Sequence, residues 1–234
     1  MTALFRWPEA AAVGRVIPKE RLYAEAGVAK AVRQRFIDEI QRVRWAYKLS
    51  EESLRLRGRD DMAEVQVFEI ELKGAEVSES ILTSIDKSVP SPIIFELHRS
   101  TAARAEVQLA AARKEPGSRG PKLSGYFKGD WVHADAERTV LPPAIDLAGL
   151  YAQLLMALMP MPFRPGEELS EAIDRMARIR QRERDIVALN RAVRTEPQFN
   201  RKVELRRMLR TRQADLDTLT NENEPTTEDA KWRS

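Results

Sequence analysis

Residues 64–98 constrain this chain most tightly, because they read strand, helix, strand within one short window. Glu64-Val-Gln-Val-Phe-Glu-Ile-Glu-Leu72 is rich in β-branched and aromatic residues. Its alternation places Gln66, Phe68, Ile70 and Leu72 on one face and Val65, Val67, Glu69 and Glu71 on the other. Ser78 stands where it can cap a helix whose Ile81, Leu82 and Ile85 share a stripe. Pro90 and Pro92 end that helix, and the apolar run Ile93-Ile-Phe-Glu-Leu97 follows. A helix between two strands of this length predicts a right-handed crossover joining parallel neighbours. That defines a core and leaves any reaction undefined.

The flanking segments extend this core. Residues 32–48 carry Phe36, Ile40, Val43 and Tyr47 at three- and four-residue spacing, which predicts an amphipathic helix. Residues 53–57 suit a short edge strand before a polar turn, and residues 105–111 alternate as another strand. Lys114-Glu-Pro-Gly-Ser-Arg-Gly-Pro121 has hairpin chemistry, and residues 122–132 return as a strand carrying Tyr126, Phe127 and Trp131. Asp146 caps a helix with Leu147, Leu150, Tyr151, Leu154, Leu155 and Leu158 on one wide face. The expected fold is α+β over residues 1–163: a mixed β-sheet of about four strands with a β-α-β start, covered by helices at 32–48 and 146–159.

Past the proline-rich boundary at 160–166 the texture changes. Leu169, Met176, Glu183 and Asn190 occupy one heptad position, and Ala172, Ile179, Ile186 and Val193 its partner. Thr195-Glu-Pro197 interrupts, and Leu205, Leu209, Leu216 and Leu219 form a second seam. Residues 167–220 therefore predict a C-terminal antiparallel helical hairpin, a two-helix coiled coil. The polar tail, residues 221–234, is expected to be disordered.

Composition excludes several classes. With no cysteine, disulfides, thiol catalysis and Cys-ligated zinc are out. His98 and His133 are the only histidines, too few for a histidine-rich metal site. No glycine-rich phosphate loop, nucleophile elbow or HExxH motif occurs, so no cofactor and no metal are expected. The N-terminal residues lack a signal-peptide apolar run, and the longest apolar stretch, 147–163, is broken by Gln153, Pro160 and Pro162. A cytoplasmic protein with no membrane partner is the expected reading.

Several segments carry a family likeness: Ile17-Pro-Lys19, Trp45-Ala-Tyr-Lys-Leu-Ser50, Val67-Phe-Glu-Ile-Glu-Leu-Lys73 and Ile85-Asp-Lys-Ser-Val-Pro-Ser-Pro-Ile-Ile-Phe95. Tyr126-Phe127, Trp131, Asp146-Leu-Ala-Gly-Leu-Tyr151 and Gln198-Phe-Asn-Arg-Lys-Val-Glu-Leu205 complete the set. Taken in this order they span nearly the whole chain, which resembles the bacterial domain-of-unknown-function family 4391. The resemblance implies a context rather than a reaction: companions of helicases and DNA methyltransferases in restriction-like, phage-defence neighbourhoods.

Three sets of residues are candidates for function. Between Arg175 and Arg212 thirteen Lys/Arg face four Asp/Glu. Arg175, Arg178, Arg182, Arg201, Lys202, Arg206 and Arg210 can track a phosphate backbone without reading sequence, although such runs are also ordinary solvated helix faces. Gln198, Phe199 and Asn200 at the hairpin turn suit a partner-docking tip; alternatively Phe199 and Val203 simply close the turn over the seam. Asp61, Glu71 and Lys73 superficially resemble a metal-dependent PD-(D/E)XK nuclease set, where carboxylates hold Mg²⁺ and lysine orients water. Glu69 and Glu71 are equally the polar face of a half-buried strand. Lys87 suits the C-terminus of its helix. Trp45, Tyr47, Tyr126, Phe127 and Trp131 are either a stacking platform or core. The favoured reading is a non-catalytic accessory subunit. Its globular domain is expected to bind a larger partner, a helicase-type ATPase or DNA methyltransferase, while the arginine-rich hairpin touches DNA or that partner. The nuclease and a purely structural adaptor are the alternatives.

Overall fold

A computed structural model describes residues 4–25, 29–59, 62–100, 104–115, 117 and 120–221. Two compact units divide the chain, Met1–Pro162 and Phe163–Ser234. The strands are β1 (Leu4–Phe5), β2 (Ala12–Ile17), β3 (Ile40–Ser50), β4 (Glu64–Leu72), β5 (Ile93–Ser100) and β6 (Ala105–Ala111). Five two-residue strands follow: β7 (Lys114–Glu115), β8 (Lys122–Leu123), β9 (Phe127–Lys128), β10 (Val132–His133) and β11 (Arg138–Thr139). The helices are α1 (Lys19–Glu25), α2 (Lys30–Glu39), α3 (Glu51–Leu54), α4 (Glu79–Ser88), α5 (Leu147–Leu158), α6 (Leu169–Thr195) and α7 (Phe199–Thr220).

The first unit is built on a mixed sheet in the order β2-β3-β4-β5-β6, with β9 and β10 both pairing with β6. β2, β3 and β4 form an antiparallel meander, and α4 carries the chain across to β5, which runs parallel to β4. The strand–helix–strand window thus folds as its pattern predicts. One face, bearing Val43, Phe68, Ile70, Phe95 and Leu97, packs with Leu22 of α1, Phe36 of α2 and Ile81, Leu82 and Ile85 of α4. On the other side of the pleat, Val65, Val67, Ile94 and Leu109 are also buried, and α5 packs on β4, β6 and β9. α5 buries the six residues of its expected face, and the Asp146 carboxylate accepts from Gly149 N–H at 2.7 Å.

Three of the expected elements need correction. The helix expected over 32–48 stops at Glu39, and its second half is β3, at the centre of the meander. Residues Ile40, Val43, Ala46 and Leu49 are buried at three-residue spacing because bulges shift the register between Ile40 and Arg42 and between Trp45 and Tyr47. Each added residue turns the strand over, so a strand acquires a near-helical apolar period. Of the edge strand expected over 53–57, Ser53 and Leu54 instead close the one-turn helix α3, entered through a reciprocal Ser50–Ser53 capping box and ended by Arg55 at φ 58°, while Arg57 makes an isolated parallel bridge to Asp146. The strand expected over 122–132 is three fragments, β8, β9 and β10, separated by segments containing Gly125 and Gly129.

Ser78 precedes α4 as expected, but its side chain does not cap the helix. Its N–H and hydroxyl both donate, at 2.6 Å, to the Glu39 carboxylate at the end of α2. At the other end of α4 the satisfying cation is Lys114, not the neighbouring Lys87. Lys114 Nζ donates to the carbonyls of Asp86, Val89 and Ser91 at 2.5, 2.7 and 3.0 Å and lies 3.2 Å from Asp86 Oδ1. Tyr126 donates to Asp86 Oδ2 at 2.6 Å. Burial raises the Asp86 pKa against the pull of Lys114, and burial lowers that of Lys114 against the pull of Asp86.

In the second unit α6 and α7 pack together as the heptads predict. Its base is pinned by two arginines. Arg164 Nη2 donates to the carbonyls of Thr218, Leu219 and Asn221 at 3.0–3.1 Å, satisfying the end of α7. Arg175 makes a two-pronged, buried pair with Glu167 at 2.7 Å. The tail, residues 222–234, lies outside the described residues.

Candidate functional site

The hairpin sorts its arginines by geometry. Arg175 is buried against Glu167, and its hydrogen bond holds the Glu167 carboxyl below its usual range. Arg182 sits in the seam, crossed with Asp185 (3.5 Å) and Asp215 (3.3 Å), while Arg212 meets Asp215 (3.1 Å) and Asp185 (3.8 Å). These four charges stand at seam positions where apolar residues would pack, and their partial exposure keeps their net contribution small. Lys202 is half-buried, while Arg178, Arg201, Arg206 and Arg210 are exposed, Arg201 lying 3.4 Å from Glu196. Arg207 joins the exposed set on α7.

The tip lies between Thr195 and Phe199. Glu196 organises it by accepting from Gln198 N–H at 3.0 Å, which ties the α7 N-terminus to the end of α6. Gln198, Phe199 and Asn200 are all exposed. Phe199 is 74 % exposed and Val203 49 %, with Met208 at 52 % further along α7. The sequence left Phe199 divided between closing the turn and meeting a partner; its exposure bears on that choice, because a closing residue would be covered.

In the first unit, Asp61 lies outside the described residues. Glu71 and Lys73 share the end of β4, and both have partners within the unit: Glu71 is paired with Arg42 of β3, and Lys73 Nζ donates to Ile37 O at 2.7 Å. Glu69, two residues earlier, meets Arg44 at 3.1 Å.

Next to Glu69 across the β4–β5 ladder stands Glu96, a carboxylate in the middle of an apolar strand and only 1 % exposed. Trp7 Nε1 donates to Glu96 Oε1 at 2.6 Å, and Arg138 grips both oxygens at 2.7 and 3.2 Å. His98 Nε2 approaches Oε2 at 3.5 Å. Burial on its own would raise Glu96, but the polar contacts of His98, Arg138 and Trp7 and the charge of Arg138 outweigh it, and the pKa falls to about 2. Glu69, Glu96 and His98 place ligand-type atoms within 4.8 Å of one another. Two guanidiniums already neutralise this group, which opposes a dication. The arrangement locks the segment before β2, through Trp7, and the β11 strand, through Arg138, onto the sheet.

The aromatic candidates do not assemble into one platform. Tyr126 and Phe127 are buried. Trp45 and Tyr47 fall on opposite faces because of the bulge between them, pairing with Phe68 and Val67 respectively. The Arg99 guanidinium stacks 3.9 Å from the Trp131 ring. Among the described residues, no helix is long and apolar enough to cross a membrane.

A family model described as Domain of unknown function (DUF4391) matches residues 5–216. No curated protein and no solved structure matches the chain.

Proposed function

The chain belongs to the family described as Domain of unknown function (DUF4391), and from that premise we propose that it is a non-catalytic accessory subunit of a DNA-processing or phage-defence system. The hairpin is its docking element. Phe199, with Val203 behind it, inserts into a larger helicase- or methyltransferase-type partner, and Arg206, Arg207 and Arg210 line the nucleic acid that partner holds. The observation that carries this reading is the tip itself: a phenylalanine 74 % exposed on a pinned, Glu196-organised turn. Aromatic anchors of this kind dominate the energetics of protein interfaces. No observation favours the nuclease reading, since Glu71 is engaged by Arg42 and Lys73 by the Ile37 carbonyl.

The test is affinity capture of the tagged chain from its native cell, with and without nuclease, for wild type and Phe199→Ala. A stoichiometric partner that survives nuclease and is lost with Phe199→Ala is expected. Recovery of nucleic acid alone would overturn the accessory reading.

A further inference from the structure

A second surface, in the first unit, has the chemistry of a small-molecule site. At the start of β4, Trp45, Phe68, Leu22, Ile17 and Val89 wall a cleft of about 340 Å³. Small-ligand pockets begin near 300 Å³, so this is room for one compact ligand. Its walls are apolar, with the half-buried Trp45 indole held in place because Nε1 donates to Gln66 Oε1 at 2.7 Å.

The polar groups at the cleft are unequally satisfied. Glu64 accepts from Gln66 (2.7 Å) and Ser91 (3.0 Å) and meets Lys48 at 3.2 Å. The Arg15 guanidinium, by contrast, has no hydrogen-bond or ion-pair partner among the described residues. Its position is unusual. The register of β2 pairs Arg15 with Trp45 and Ile17 with Val43, which puts Arg15 on the face that otherwise packs as core. A register shift between Ala12 and Arg15, with Gly14 at φ 68°, aims it there. The neighbouring Arg44, on the opposite face, has its carboxylate in Glu69. Arg21 of α1 lines the same cleft.

A cation set on an apolar face beside an indole, with the nearby carboxylate already neutralised, is complementary to an anion carrying a flat apolar body. We propose that this cleft binds a single nucleotide, with the base against Trp45 and Phe68 and the phosphate on Arg15 and Arg21. Guanidinium matches phosphate in a two-pronged geometry, and a base stacks on an aromatic face without regard to sequence. The ligand is either a free mononucleotide or one unstacked nucleotide of a single strand. The site does not depend on the hairpin.

Calorimetric titration of the full chain with AMP, dTMP and a 12-nucleotide oligothymidylate tests this, using wild type, Arg15→Glu, Trp45→Leu and the hairpin variant Arg206→Glu/Arg210→Glu. Saturable one-to-one binding is expected for at least one ligand, weakened about tenfold or more by Arg15→Glu, the scale of one lost charge-assisted contact. Binding of AMP or dTMP identifies a free nucleotide as the source. Binding of the oligonucleotide alone, with the same Arg15 dependence, identifies a strand. Arg15 is exposed, so Arg15→Glu keeps the test sound should Trp45→Leu fail to fold. No saturable binding, or binding lost only in the hairpin variant, overturns the proposal without touching the docking role of Phe199.

Discussion

Replacing Lys114 with methionine removes the cation that serves the buried end of α4 while keeping most of its volume. Its ammonium serves three carbonyls and one carboxylate, and the side chains of Lys114 and Asp86 are 4 % and 1 % exposed. Without it, Asp86 keeps the Tyr126 hydroxyl, and the carbonyls of Val89 and Ser91 lose this donor. Stripping one partner from a buried ion pair costs about 3–5 kcal/mol, a large share of a domain's typical ~5–15 kcal/mol. The cost has a pH signature. Asp86 is already raised by burial, and Lys114 is the cation pulling it down, so the variant raises it further. A carboxyl with a raised folded pKa contributes stability that is complete below its unfolded value, near 3.8, and lost as pH rises through the folded value. The deficit of Lys114→Met must therefore shrink on acidification, and Asp86→Asn in the same chain should recover part of it at pH 7. Urea unfolding followed by tryptophan emission reports the unit, which holds Trp7, Trp45 and Trp131. A deficit below about 1 kcal/mol at pH 7, the scale of an exposed pair, or one that does not change with pH, would refute this role for the Lys114–Asp86 pair.

Glu96 has the opposite sign. Held at about 2, it contributes stability above its ordinary value of 4.5 that is lost as pH falls towards 2. That depression is worth about 3 kcal/mol at ~1.4 kcal/mol per pH unit. Arg138→Met should flatten this part of the acid unfolding profile, measured by urea titration between pH 5 and pH 2.5. On the hairpin, binding of duplex DNA in gel-shift titrations should fall with salt at a log–log slope of about −3 if Arg206, Arg207 and Arg210 meet phosphates. Arg206→Glu/Arg210→Glu should abolish that binding at low salt, while Arg175→Glu should lower the melting temperature instead, because Arg175 is buried against Glu167.

How far the sequence reveals this molecule depends on the range of the forces concerned. β4, α4 and β5 are legible because alternation, helical period and proline stops are local signals. The hairpin is legible for the same reason. β3 is not, because its two bulges give a strand the three-residue spacing of a helix, and no local pattern separates them. The acid in the apolar run Ile93-Ile-Phe-Glu-Leu97 was visible, yet its partners Trp7 and Arg138 lie 89 and 42 positions away. The same holds for Lys114, 28 positions from the carbonyl of Asp86. Among the arginines, sequence could not distinguish Arg175 and Arg182, which fasten the hairpin, from Arg206 and Arg210, which face solvent. Arg15 carried no signal at all until the register set it beside Trp45.

The role of the tip is tested most directly by placing a photo-crosslinking phenylalanine analogue at position 199 and irradiating the native cells. Position 211, exposed in the middle of α7, is the control. One discrete, nuclease-resistant protein adduct is expected from position 199 and none from position 211. No adduct at 199, or the same adducts at both positions, would contradict it.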